Sequence, residues 1–163
     1  MDSDAIDIVT DNTSVPPSKS LKAVKKIKKG DFICDLWGNV NPIDRHTVQV
    51  SKDKHIMPEG KVKFTNHACS PTAEFEFKAR DGVVAPEGKE LSWHLVATRD
   101  INKGEEITFN YTLTEYEMDA PFECQCGAKQ CLGRVQGFKH LTTEQQQEIM
   151  AKVSPAIKEI IKN

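Results

Sequence analysis

The sequence predicts a mainly β domain (α+β minor), with its helices confined to a C-terminal tail. Three observations lead there. Short alternating segments rich in β-formers recur through the middle of the chain, and glycine- or proline-bearing turns separate them. Sustained helical spacing comes only after residue 140. There is no βαβ alternation and no fixed-period repeat, which disfavours a doubly wound parallel sheet.

The elements follow in order. Residues 1–17 close on Ser14-Val15-Pro16-Pro17 and are expected to form a strand-poor lead-in. In SLKAVKKIKKGDFICDLWG, residues 20–38, Leu21, Ala23, Val24 and Ile27 are apolar between lysines, and Gly30 breaks the run. This predicts a two-stranded unit with the lysines on its wet face. A basic binding patch is the rival reading of Lys22 to Lys29, and a solvated strand face is the better one. HTVQV (46–50), EFEFKAR (74–80), LSWHLVATRDI (91–101) and EEITFNY (105–111) then read as strands. Pro58-Glu59-Gly60, Asp81-Gly82, Pro86-Glu87-Gly88 and Asn102-Lys103-Gly104 are the turns between them. Thr142 is placed to cap a helix with Gln145 reaching back, and Ile149 and Val153 give that helix an apolar edge. Ser154-Pro155 opens a second helical stretch through Ile157, Ile160 and Ile161.

A chain of 163 residues, 38% hydrophobic and 28% charged, suits one globular domain. No apolar run approaches a membrane span, and the acidic start MDSDAIDIVTDNTS lacks the pattern of a secretory signal. An intracellular protein with no membrane partner is expected. A net charge of −2 gives no reason to expect direct nucleic-acid binding.

The cysteines carry the strongest local signal. Their odd count, five, argues against a disulfide framework, and Cys124, Cys126 and Cys131 fall within eight residues, CQCGAKQC. Thiolates at this density suit one structural zinc, which takes four ligands in a tetrahedron. For the fourth vertex, spacing leaves both Cys69 and His140 open. Cys34, inside DFICDLWG, reads as a buried apolar residue. His46, His55 and His94 have no partner at ligand spacing, and Trp37 and Trp93 read as core.

Three segments, in this order, resemble the SET-domain protein lysine methyltransferases. Asn66-His67-Ala68-Cys69-Ser70-Pro71 is close to the family's N-H-x-C-x-P-N. GEEITFNY, residues 104–111, is similar to G-E-E-L-T-x-D-Y, and the CxCx4C cluster looks like the post-SET zinc motif. KAVKKIKKGDFICDLWG is a weaker echo of the family's opening, and TEYEMDAPFECQCG looks like the linker of compact members. The resemblance implies a SET-type β-clip of small curved sheets with a knot-like crossing. It divides the chain into a lead-in (1–17), a SET domain (18–115), a post-SET zinc segment (116–138) and a helical tail (139–163).

The resemblance also implies roles. It assigns Cys69 as the fourth zinc ligand with Cys124, Cys126 and Cys131. It makes S-adenosylmethionine the cofactor and a lysine of a histone tail or another protein the substrate. Tyr111 becomes the central catalytic residue, and Phe109 the residue that limits product state. Asn66 and His67 would hold the cofactor, with Lys63 on its carboxylate, Leu132 on its adenine and Lys19 within reach. A core role for Tyr111 is the plainer alternative that the motif displaces. The pattern is broken at Ser18-Lys19-Ser20, where the family has Gly-x-Gly, at Pro71-Thr72 in place of Pro-Asn, and at Asn110-Tyr111 in place of Asp-Tyr. These departures keep a second reading in play, a catalytically impaired fold that binds peptides or partners. A zinc-ribbon nucleic-acid binder fits the cysteines alone and ranks last, because Asp119 and Glu123 offset the few nearby cations.

Overall fold

The computed structural model describes residues 1–162, so Asn163, the last residue of the expected tail, lies outside them. Eleven strands and two short α-helices form in chain order: β1 (Ile6–Asp11), β2 (Ser18–Ala23), β3 (Phe32–Asn41), β4 (Val48–Ser51), β5 (Lys54–Pro58), β6 (Asn66–His67), β7 (Ala73–Glu76), β8 (Glu90–Ala97), β9 (Glu106–Phe109), β10 (Phe122–Glu123), β11 (Arg134–Val135), α1 (Thr143–Ile149) and α2 (Pro155–Ile161). One sheet runs β4-β5-β3-β8-β7, a second runs β1-β2-β9-β6, and β10 and β11 make a small hairpin.

β3 forms the middle of the larger sheet because it is buried on both faces. Ile33, Cys34, Asp35 and Leu36 are all fully buried, so it reads as a continuous run rather than an alternation. Register shifts between Phe32 and Cys34, and again between Asp35 and Trp37, bend it against β8. The buried Asp35 is neutralised by Arg80, whose Nε donates to Oδ1 at 2.9 Å while the guanidinium stacks 3.6 Å over the Phe32 ring. Sequence spacing gave no hint of that pair.

Two expectations need correction. The lead-in is not strand-poor: β1 pairs with β2 along its length, from Ile6 opposite Ala23 to Asp11 opposite Ser18. Four of its six residues are polar or exposed, so the backbone ladder, not an apolar stripe, holds it. Nor do residues 20–38 form one two-stranded unit. β2 stops at Ala23 and pairs with β1 and β9, whereas β3 joins the other sheet. Between them Ile27 exchanges backbone bonds with Ile101.

The expected crossing lies at β6 and β9. β6 runs parallel to β9, with Asn66 opposite Thr108 and His67 opposite Phe109. The Ala68 N–H donates to the Phe109 carbonyl at the end of β9, and Tyr111 beyond it bonds back to Thr65 and His67. The tail packs around a second core of Phe138, Val153 and Ile157, joined by Leu113 and Tyr116. Thr142 and Gln145 form the expected capping box, and Pro155 opens α2. Gly137 is required where the tail turns. Its φ is +110°, and a Cβ there would sit 2.6 Å from the Tyr116 carbonyl oxygen.

Leu21 and Ile107 face each other across β2 and β9 and are both fully buried. Leu21→Ala is expected to cost about 2–5 kcal/mol in urea unfolding, as large-to-small changes in close-packed cores do.

Candidate active site and metal centre

β9 delivers Phe109 and then ends in a short 3-10 turn, Tyr111–Leu113. Asn110 caps that turn, its Oδ1 accepting from the Thr112 N–H at 3.0 Å and the Thr112 hydroxyl at 2.7 Å. The amide thus fills the place of the family's carboxylate. Tyr111 is fixed at both ends. Its hydroxyl donates to the Thr65 carbonyl at 2.7 Å and its backbone N–H donates to His67 Nδ1 at 3.0 Å. Burial, with the carboxylates of Glu115 and Glu106 nearby, pushes the phenol well above its ordinary value. It therefore stays protonated at physiological pH and is no general base. The Phe109 ring lies 4.7 Å from that of Tyr111 and meets Phe75 edge-on at 5.0 Å.

Tyr111 and Phe109 line a cavity of about 50 Å³, room for a side-chain tip rather than a large ligand. Val48 and Val62 supply apolar wall, while Arg45, Lys63 and Glu115 bring charge. Burial pushes the Glu115 carboxyl up to about 7, against an ordinary 4.5. An acid raised in this way favours folding while protonated, so its contribution is lost as pH rises from about 4.5 through about 7.

The remaining expected cofactor residues fall into three places. Lys19 and Asn66 meet at the edge of the smaller sheet, where the Asn66 amide donates to the Lys19 carbonyl and to Glu106 Oε2, each at 3.1 Å. The Lys19 ammonium itself lies 5.2 Å over the Phe64 ring. His67 and Leu132 meet at Cys69, with His67 Nε2 and the Leu132 N–H each 3.3 Å from its sulfur. Lys63 stands apart from both pairs, on the wall of the Tyr111 cavity. Thr72, where the family has asparagine, exchanges bonds with Thr108: each backbone N–H donates to the other's hydroxyl, at 3.2 and 3.0 Å.

The cysteines converge as the motifs imply. The sulfurs of Cys69, Cys124, Cys126 and Cys131 lie within 4.8 Å of one another, the one metal-competent cluster among the described residues. Cys69 and Cys124 are 3.9 Å apart, against about 3.8 Å for the edge of a zinc–sulfur tetrahedron built on bonds of about 2.3 Å. Backbone N–H groups of Ala128 and Cys69 pull the Cys126 thiol down to about 6, whereas burial pushes Cys69 up to about 12. Burial thus works against a thiolate at Cys69, and a divalent cation is what lets that sulfur ionise. The donor set fits zinc. His140 lies outside this cluster, with its Nε2 3.6 Å from Glu117.

A description of the SET domain matches residues 19–112. The chain belongs to the SET-domain family. Among curated proteins, this SET chain is 30% identical over 95 residues to the methyltransferase flvH of Aspergillus flavus, covering 58% of the chain and 47% of that protein. It is 32% identical over 138 residues to a histone-lysine N-methyltransferase, H3 lysine-36 specific, of Yarrowia lipolytica, covering 72% of the chain and 17% of that protein. The chain thus spans under half the length of these curated relatives. The methyltransferase domain of human SETMAR superposes with a TM-score of 0.55 at 19% identity, over 73% of this chain and 54% of that one. The KRYPTONITE structure superposes with a TM-score of 0.56 at 19% identity, over 71% and 26%. At that identity the structural likeness speaks for the fold. Among the described residues no helix is long and apolar enough to cross a membrane.

Sequence reasoning missed three contributors to the SET-domain site. Thr65 acts through its backbone, which no side-chain motif reveals. Arg45, with its neighbour His46, reaches the cavity from an irregular polar stretch, where spacing carries no signal. Glu115 has Glu117 and Asp119 close by in sequence and nothing there to single it out, because its burial is a tertiary fact.

Metal analysis of the purified protein is expected to find about one zinc per chain. Cys69→Ser is expected to lower that content and speed metal loss to a chelator. Full retention in the variant would remove Cys69 from the ligand set.

Proposed function

We propose that this SET domain is a protein-lysine N-methyltransferase that uses S-adenosylmethionine and is held by a structural zinc. The observation that carries the reading is the half-buried Tyr111, its protonated hydroxyl anchored to Thr65 on the wall of a small cavity. The names of the curated relatives support it.

The chemistry demands a neutral amine, and a free lysine with a pKa near 10.4 is neutral about once in a few thousand at pH 7. A narrow, partly apolar cavity disfavours the charged form and confines the side chain to one approach. S-adenosylmethionine supplies the methyl group and, through its sulfonium, a nearby positive charge. Because the Tyr111 proton is committed to the Thr65 carbonyl, its lone pairs remain to orient groups in the cavity. Phe109 closes the wall beside it without a hydroxyl, which leaves room for an amine that already bears methyl groups.

For the cofactor, Lys63 offers a cation suited to an amino-acid carboxylate. Asn66 and His67 border the same strand pair, and Leu132 offers an apolar cover beside the cysteines. The zinc would tie the post-SET segment, from Cys124 to Cys131, to Cys69 on the SET core. A histone tail is one substrate this reading covers, and another protein lysine is equally within it. Thiols kept for metal suit a reducing intracellular compartment.

The test is calorimetric titration with S-adenosylmethionine followed by labelled methyl transfer to mixed histones and a cell extract. Binding with transfer is the expected result; absence of binding would instead favour a partner-binding module. Tyr111→Phe is expected to lower transfer by about 10² or more while cofactor affinity stays nearly unchanged. Unaltered turnover in that variant would take Tyr111 out of its role.

A further inference from the structure

The proposed chemistry leaves one buried acid unused. Glu115 follows Tyr111 by a single turn, its N–H donating to the Tyr111 carbonyl at 2.8 Å. Both side chains line the same cavity, and Glu115 is only 8% exposed. Its carboxylate accepts from the Gln49 N–H at 3.2 Å and bonds to Thr114. No lysine, arginine or histidine among the described residues forms an ion pair with it. A carboxylate buried without a cation must either protonate or wait for a cation to arrive. The cavity it faces is where the proposed function brings an ammonium.

Resting on that reading, we infer that Glu115 receives the substrate lysine: its carboxylate pairs with the entering ammonium and takes one proton from it, leaving a neutral amine beside Tyr111. An N–H bond breaks, its electron pair stays on nitrogen as the lone pair, and an O–H bond forms on Glu115. A charged pair becomes two neutral groups, which suits walls built from Val48, Val62 and Phe109. Burial brings donor and acceptor towards each other, because it lowers an ammonium and has pushed Glu115 up to about 7. The other ionisable groups on the cavity are Asp44, Arg45, His46, Lys63, Tyr111 and Asp119. Tyr111 stays protonated, and burial, with Arg45 and Lys63, holds His46 below its ordinary value. Glu115 is the carboxyl among them that burial pushes up to about 7.

The first arm of the test needs no cofactor and no turnover. In wild-type protein carrying carboxyl-labelled glutamate, the Glu115 signal is followed by NMR across pH, with and without n-butylammonium chloride, a mimic of the lysine side chain. Titration near 7, shifted down by about a unit or more by n-butylammonium but not by n-pentanol, is expected. A midpoint that n-butylammonium leaves unmoved overturns the inference. The second arm compares kcat/KM against pH for wild type and Glu115→Gln on whichever substrate accepts methyl. Glutamine keeps the oxygen that accepts from Gln49, so a purely structural role predicts an unchanged profile. The inference predicts a loss of roughly tenfold or more, disappearance of the limb near neutral pH, and partial recovery in Glu115→Asp. A profile within about twofold of wild type at every pH contradicts it. If wild type transfers no methyl to any substrate, the enzymatic reading fails, and the first arm still decides whether Glu115 is a cation receptor.

Discussion

A single imidazole joins the two halves of this site. His67 accepts the Tyr111 N–H on Nδ1, so the ring proton must sit on Nε2, which points 3.3 Å away at the Cys69 sulfur. Burial pushes the ring down to about 4, so it stays neutral and keeps this tautomer at physiological pH. One residue thereby connects the backbone of the tyrosine to the sulfur cluster. The parallel pairing of β6 with β9 makes the connection possible, because it sets His67 opposite Phe109, two residues before Tyr111. A ligand sulfur oriented by a neighbouring N–H is a familiar way for protein groups outside a metal's own ligands to hold a site in place.

The same crossing explains why the cavity combines charge with apolar wall. Thr65 precedes β6 and Tyr111 follows β9, so their contact sets Val62 and Lys63 on the same cavity as Phe109. Glu115 adds to the wall, clasped to β4 through Gln49. The Gln49 N–H donates to the Glu115 carboxylate, and the Gln49 side-chain oxygen accepts from the Tyr116 N–H at 3.1 Å. The helical tail then covers this turn, as the Phe138 N–H donates to the Glu115 carbonyl and the Ser154 N–H to that of Leu113. The tail is thus part of what keeps the cavity wall in place.

Much of this was legible in the residues, for reasons that differ by element. The capping box at Thr142 and the strand around Ile107 announce themselves by local chemistry and alternation. The four cysteines were legible as a set only through resemblance, since spacing alone left Cys69 and His140 as rivals. β1 escaped notice because its polar residues are exposed and its pairing with β2 is carried by backbone. Arg80, Arg45 and Glu115 escaped because a charge becomes informative only when burial gives it a partner or withholds one. The departures at Thr72 and Asn110 looked like losses in sequence, and the structure gives both residues hydrogen-bonding work of their own.

The central claim is that the sulfur cluster, through His67, holds Tyr111 in place. Residue-resolved hydrogen exchange before and after the metal is stripped tests it directly. Exchange at the Tyr111 amide, which donates to His67, is expected to accelerate on stripping together with residues 124–131, while β3 and β8 stay protected. Unchanged protection of the Tyr111 amide in metal-free protein would contradict the account, because the tyrosine would then be held by the strand pair alone.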